Sequence, residues 1–96
     1  MVTKDLKIIS DIGLHARSAA MASYIASQYS KCSVYFNFND RRVNMKSLLG
    51  ILSVNVKKDD VINVQCSGEG EDRIIENITT EMIANNIATN FQADPA

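Results

Sequence analysis

The sequence predicts an α+β fold: an open-faced β-sandwich, with a four-stranded antiparallel sheet and three helices packed on one face, in the order β-α-β-β-α-β-α. Three observations carry this expectation. Runs of alternating or β-branched residues recur at 2–9, 34–38, 41–45 and 61–66. Apolar residues at helical spacing fill 16–29 and 71–88, with a shorter amphipathic segment at 46–54. The connections between them are short and polar, and no internal repeat or linker interrupts the chain. The 96 residues therefore read as one domain, 1–96, with 90–96 as a frayed tail.

Each element has a local reason. In the first strand Leu6 and Ile8 alternate with Lys7, and Val2 and Lys4 extend the period backwards. Ser10-Asp11-Ile12-Gly13 breaks it. The first helix carries Ala16, Ala19, Ala20, Ala22, Ile25, Ala26 and Tyr29 on one broad apolar face. Alanine is the best helix former and lets a helix lie close to a sheet. Ser30 to Ser33 reads as a polar connection, and Val34-Tyr35-Phe36-Asn37-Phe38 as a strand. Asn39-Asp40 tolerates the left-handed backbone of a tight hairpin, and Arg41 to Met45 returns. Ser47 is placed to cap a helix of about two turns. Gly50 inside that helix points to close packing. Lys57 to Asp60 is a charged turn, and Ile62, Val64 and Cys66 share one face of the next strand. Glu71 and Asp72 open the last helix, where they complement its dipole. Ile74, Ile75, Ile78, Met82, Ile83 and Ile87 form its apolar stripe.

Composition excludes several functions. Net charge is −1, and basic residues cluster only at Arg41-Arg42 and Lys57-Lys58, so there is no footprint for nucleic acid. One histidine and two cysteines without ligand spacing predict no metal site, and no cofactor is expected. Cys32 and Cys66 read as two reduced thiols that pack in the interior, with one disulfide the alternative. The N-terminus lacks the apolar run of a signal peptide and no segment is long enough to span a membrane, which predicts a cytoplasmic protein.

His15, the only histidine, lies where strand turns into helix, in Gly13-Leu14-His15-Ala16-Arg17-Ser18. An imidazole nitrogen must be neutral to attack phosphorus, and the positive end of a helix dipole favours that form. The N–H groups of Ala16, Arg17 and Ser18 have no helical partner and can face an anion. Arg17 adds a guanidinium able to grip phosphate oxygens. Gly13 permits the sharp turn. A generic His-x-Arg is more often a helix cap beside a solvated arginine, so this pattern alone does not decide the function.

Two motifs go further. Gly13-Leu14-His15-Ala16-Arg17-Ser18-Ala19 resembles the active-site signature of the HPr family, the histidine-containing phosphocarriers of the bacterial sugar phosphotransferase system. Val43 to Ser53 resembles that family's regulatory-serine segment, at a spacing with about one extra residue. The resemblance spans roughly residues 2 to 88. It implies that His15 takes a phosphoryl group on Nδ1 from phosphorylated enzyme I and passes it to enzyme IIA domains of sugar permeases. Arg17 would assist, and the protein would be a carrier rather than a stand-alone enzyme. It implies a docking face of Ala20, Met21, Tyr24, Leu48, Leu49 and Leu52. On physics alone these apolar residues could equally be core, but two short helices cannot bury every one of them, which agrees with such a patch. It also implies phosphorylation of Ser47 by an HPr kinase/phosphorylase, and in some bacteria a corepressor role with a catabolite-control regulator. A free docking face predicts a monomer. Ser18 stands where the family has proline. That departure motivates the alternative of a regulatory paralogue in nitrogen or catabolite control, whose phosphorylation state gates partner binding. A small hydrolase using His15 as base has no partner residues in the local sequence.

Overall fold

The computed structural model describes residues 1–92. It contains β1 (Val2–Ile8), α1 (Ala16–Ser27), β2 (Cys32–Phe38), β3 (Arg41–Asn44), α2 (Leu48–Ser53), β4 (Val61–Gly68), α3 (Glu71–Ala84) and β5 (Ala88–Asn90). The expected α+β architecture is present, with five strands rather than four. Their order is β3-β2-β4-β1-β5, and every neighbouring pair is antiparallel. The added strand pairs Ile8 with Ala88, Lys7 with Thr89 and Leu6 with Asn90. It covers the edge of β1, which would otherwise present an unpaired row of backbone groups.

One face of the sheet makes the core. Leu6, Ile8, Val34, Phe36, Val43, Ile62, Val64, Cys66 and Ala88 are buried beneath the helices. They meet Ala19, Ala22, Ile25 and Ala26 of α1, Ile51 of α2, and Ile75, Ile78 and Met82 of α3. The opposite face is polar. There Asn37 donates to Asn63 at 3.2 Å, and Asn63 donates to Asp5 at 2.8 Å. This one-sided burial follows from the two-residue period of the strands. The Asn39-Asp40 hairpin has positive φ at both residues, 50° and 61°, as the twist of a tight two-residue turn requires.

Several boundaries differ from the sequence reading. Ala16 and Ala20 are exposed, while Ser18 takes a buried place on α1. The helix stops before Gln28, because Gln28 and Tyr29 donate to Ile25 and Ala26 and tighten the last turn. Lys46 then caps this end: its Nζ donates to the carbonyls of Tyr29 at 2.8 Å and Cys32 at 2.6 Å. The supposed polar connection is shorter, since β2 begins at Cys32.

The last helix ends at Ala84, not 88. Asn86 adopts left-handed backbone, φ 58°. Its N–H donates to Ile83, and that of Ile87 donates back to Met82. This is the hydrogen-bond pattern of a Schellman stop, in which the apolar residue after the turn packs on the helix. Ile87 is buried for that reason rather than as part of the helical stripe, and Ile83 is exposed. Asn90 closes a strand, so the expected tail is ordered at its start; residues 93–96 of it lie outside the described residues.

Both cysteines are free and buried. The Cys32 thiol donates to the Glu69 carbonyl at 3.1 Å. Burial, and next the neighbouring Cys32, pushes the Cys66 thiol up to about 11. Among the described residues no helix is long and apolar enough to cross a membrane.

Candidate functional site

The site is built on a tied-down turn. Gly13 has φ +69°, and a Cβ there would collide with the Val56 carbonyl and Lys57 Cα. Glycine is therefore required twice, by conformation and by space. The Gly13 N–H donates to the Ser10 carbonyl at 2.8 Å, and the Leu14 N–H to the Val56 carbonyl at 2.9 Å. Leu14 is buried. The chain thus leaves β1, turns on Gly13, anchors through Leu14, and reaches His15 with no slack.

His15 is the N-cap of α1, with extended backbone (φ −111°, ψ −174°). Its carbonyl accepts the first helical bond, from Ala19 N–H at 2.7 Å. The amides of Ala16, Arg17 and Ser18 come before that bond and have no helical acceptor. The imidazole is half-buried, and the Arg17 side chain is exposed beside it. Both line a cleft of about 220 Å³ open to solvent.

Ser18 does something the sequence reading did not anticipate. The sequence assigns its hydroxyl no partner. In the structure its Oγ accepts from the His15 N–H at 3.1 Å and donates to the Gly13 carbonyl at 2.9 Å. The residue is only 8% exposed. It clamps the turn from beneath, which is the half of a capping box contributed by the third helical residue.

The cleft has a second wall from the far end of the chain. Ser10 and Met21 line it with His15, and so do Asn85, Asn86 and Ile87 from beyond the end of α3. Sequence reasoning missed the three C-terminal residues, because they were assigned to the interior of α3. The signal available was the Asn-Asn pair, since asparagine is the residue after glycine that most readily takes a left-handed helix end.

The other anticipated residues form a surface next to this cleft. Ala20 is exposed, and so are Met21, Tyr24 (65%), Leu48, Leu49 (80%) and Leu52. Ile12, which the sequence reading left in the turn, is exposed as well. Side chains of α1 and α2 thus leave an apolar strip uncovered, larger in residues than the scattered exposure of an ordinary surface.

Ser47 caps α2, accepting from the Gly50 N–H at 3.1 Å. A Cβ on Gly50 would lie 3.2 Å from the Ser47 Oγ and 3.5 Å from Val43, so this glycine marks the close packing expected. Ser23 of α1 donates to the Lys46 carbonyl at 2.8 Å and pins α2 alongside. Ser23 lies two helical turns beyond His15, about 12 Å along the axis. Ser47 therefore belongs to the apolar strip rather than to the His15 cleft, whose lining does not include it. Among the described residues, no three His, Cys, Asp or Glu side chains gather in the manner of a metal site.

A turn that presents one imidazole, unpaired amides and a guanidinium to an open cleft can receive and hold a small anion. It lacks an enclosed substrate pocket. The comparisons agree with this geometry. A family model described as the PTS HPr component phosphorylation site matches residues 2–84. Phosphocarrier protein HPr of Neisseria meningitidis serogroup A is 34% identical over 79 residues, covering 82% of this chain and 88% of that protein. The histidine-containing phosphocarrier protein of a mycoplasma superposes with a TM-score of 0.83 at 27% identity, over 90% of this chain and 97% of that one. HPr-C-His from Thermoanaerobacter tengcongensis gives a TM-score of 0.80 at 29% identity, over 90% and 94% of the two chains.

Proposed function

Since the chain belongs to the HPr family of phosphocarrier proteins, we propose that it accepts a phosphoryl group on Nδ1 of His15 from phosphorylated enzyme I and passes it to enzyme IIA domains of sugar permeases. The observation that supports this most directly is His15 at the N-cap of α1, with Arg17 on the same open cleft. The neutral Nδ1 attacks phosphorus, the N–P bond forms, and the donor's bond to phosphorus breaks. The amides of Ala16, Arg17 and Ser18 and the Arg17 guanidinium then face the phosphoryl oxygens. Transfer onward reverses these steps with the acceptor as nucleophile. The protein turns nothing over by itself; it carries.

Ala20, Met21, Tyr24, Leu48, Leu49 and Leu52 form the docking face in this reading, used one partner at a time. A carrier needs a small transient interface, not a lasting one. That requirement favours a monomer, and the partners place it in the cytoplasm. Ser47 is the regulatory phosphorylation site for an HPr kinase/phosphorylase. A phosphate there would add about two negative charges to the edge of an apolar docking strip, weakening association through desolvation and repulsion. Where the host has a catabolite-control regulator, the same form could be read by it.

The test is incubation with enzyme I and phosphoenolpyruvate. The expected product gains the mass of one phosphate, loses it in acid, and is not formed by His15→Ala. A gain that survives this substitution would place the acceptor elsewhere. Restored sugar uptake in a carrier-deficient strain separates this function from that of a purely regulatory paralogue.

A further inference from the structure

The family model matches residues 2–84, yet the residues that come immediately after, Asn85 to Ile87, also line the His15 cleft. We propose that the Asn86 carboxamide is a phosphoryl-binding group of the His15 site, held in place by the C-terminal β5 segment. The inference rests on the carrier reading above and assigns that site a further ligand.

The end of α3 is prepared for an anion in three ways. First, three of the helix's last carbonyls, those of Glu81, Met82 and Ile83, are occupied. Asn85 N–H donates to Glu81 at 3.1 Å, Ile87 N–H to Met82 at 3.0 Å and Asn86 N–H to Ile83 at 3.0 Å. The Asn85 side chain also donates to Glu81 at 2.8 Å. The negative end of the helix dipole, which would repel a phosphoryl group, is thereby blunted where it meets the cleft. Second, the Asn86 carboxamide makes no hydrogen bond among the described residues, unlike that of Asn85, and Asn86 is exposed on the cleft that His15 and Arg17 also line. It offers two N–H donors and no charge. Third, the wall cannot drift. Ile87 is buried, its carbonyl accepts from Ile9 N–H at 2.9 Å, and Ala88 to Asn90 are paired with β1. The strand that covers the sheet edge thus also fixes the distance between Asn86 and His15.

Asn86→Gly is the decisive variant. Glycine is the preferred residue at this helix stop, so the Tm should be kept or raised while the carboxamide is lost. His15 is phosphorylated with phosphoramidate, a chemical donor that needs no protein partner. The phosphohistidine half-life should shorten roughly threefold to tenfold in Asn86→Gly, as expected for losing a hydrogen bond to a charged group partly exposed to water. Asn86→Asp, which keeps shape but brings a like charge, should shorten it at least as much. An unchanged half-life in Asn86→Gly overturns the proposal. Should that variant lose stability, an unchanged half-life in Asn86→Asp overturns it instead. Phosphohistidine formed from phosphoramidate but never from enzyme I refutes the carrier reading alone, whereas none from either source refutes both.

Discussion

Ser18→Ala removes one oxygen and should loosen the whole site. Its Oγ accepts from the His15 N–H at 3.1 Å and donates to the Gly13 carbonyl at 2.9 Å. A third contact, to the His15 carbonyl, is long at 3.4 Å and adds little. Each good bond contributes about 1 kcal/mol net, and loss of a helix cap costs a similar amount, so the total is about 2 kcal/mol. For a domain of this size that is a fall in Tm of about 8–16 °C. Ser18→Pro provides the internal control. It loses the same two bonds, but the Ser18 N–H donates to no helix carbonyl and faces only the His15 side chain across the capping box, a contact too loose to rank among the hydrogen bonds, so the missing donor costs little. The ring also restricts the unfolded chain, which returns roughly 0.4–1 kcal/mol. The order of stability should be Ser18, then proline, then alanine. Thermal and urea denaturation followed by circular dichroism measure it. Phosphorylation by enzyme I should slow in the alanine variant, because the imidazole and the three amides are no longer held by one clamp. An alanine variant as stable as the parent, or a proline variant less stable than the alanine one, would refute the reasoning.

Three further outcomes follow from the same geometry. Gly13→Ala places a Cβ against the Val56 carbonyl at φ +69° and should cost about 3 kcal/mol, and an unchanged urea midpoint would contradict this. Leu49 is 80% exposed, so Leu49→Ala should leave stability within about 0.5 kcal/mol while weakening association with enzyme I roughly tenfold. Equal affinity by calorimetry removes Leu49 from the docking face. Burial raises the Cys66 thiol from 9.0 to about 11, so the folded state holds this proton more tightly than the unfolded one. That contribution, roughly 2–3 kcal/mol at most, is fully present below pH 9 and fades as pH rises towards 11. The stability difference between the parent and Cys66→Ala should therefore narrow across this window, and a constant difference would argue against a buried neutral thiol.

Where structure follows from neighbours in the chain, it was legible. Asn39-Asp40 supplies its own left-handed turn, Ser47 its own cap, and Gly50 signals the close contact that the Ser47 side chain makes. His15, Arg17 and the helix start that serves them lie within three residues, so their association needed no tertiary information. That Met21, Tyr24, Leu48, Leu49 and Leu52 are exposed was implied by the family resemblance and not by periodicity, which allows the same residues in the core.

Ser18 marks the boundary of that legibility. Its type and place were visible, and the direction of its hydroxyl was not. Which way a hydroxyl points depends on the carbonyl that Gly13 turns inward, and that turn is set by the approach of Val56 and Lys57. The fifth strand was beyond reach for a related reason. Three residues are too few for a period, and Ala88 to Asn90 become a strand only because β1, at the other end of the described chain, offers an edge.

By itself, the sequence determined the sheet-and-helix layers, the hairpin, and the imidazole with its guanidinium at a helix start. Periodicity, propensity and capping act over a few residues and are written in the order of the chain. The tertiary structure alone decided that α3 stops at Ala84 and that Asn85, Asn86 and Ile87 line the same cleft as His15. Ile83 and Ile87 extend the helical spacing, and only burial of Ile87 under the sheet, together with pairing along β1, makes the left-handed turn at Asn86 the lower-energy path.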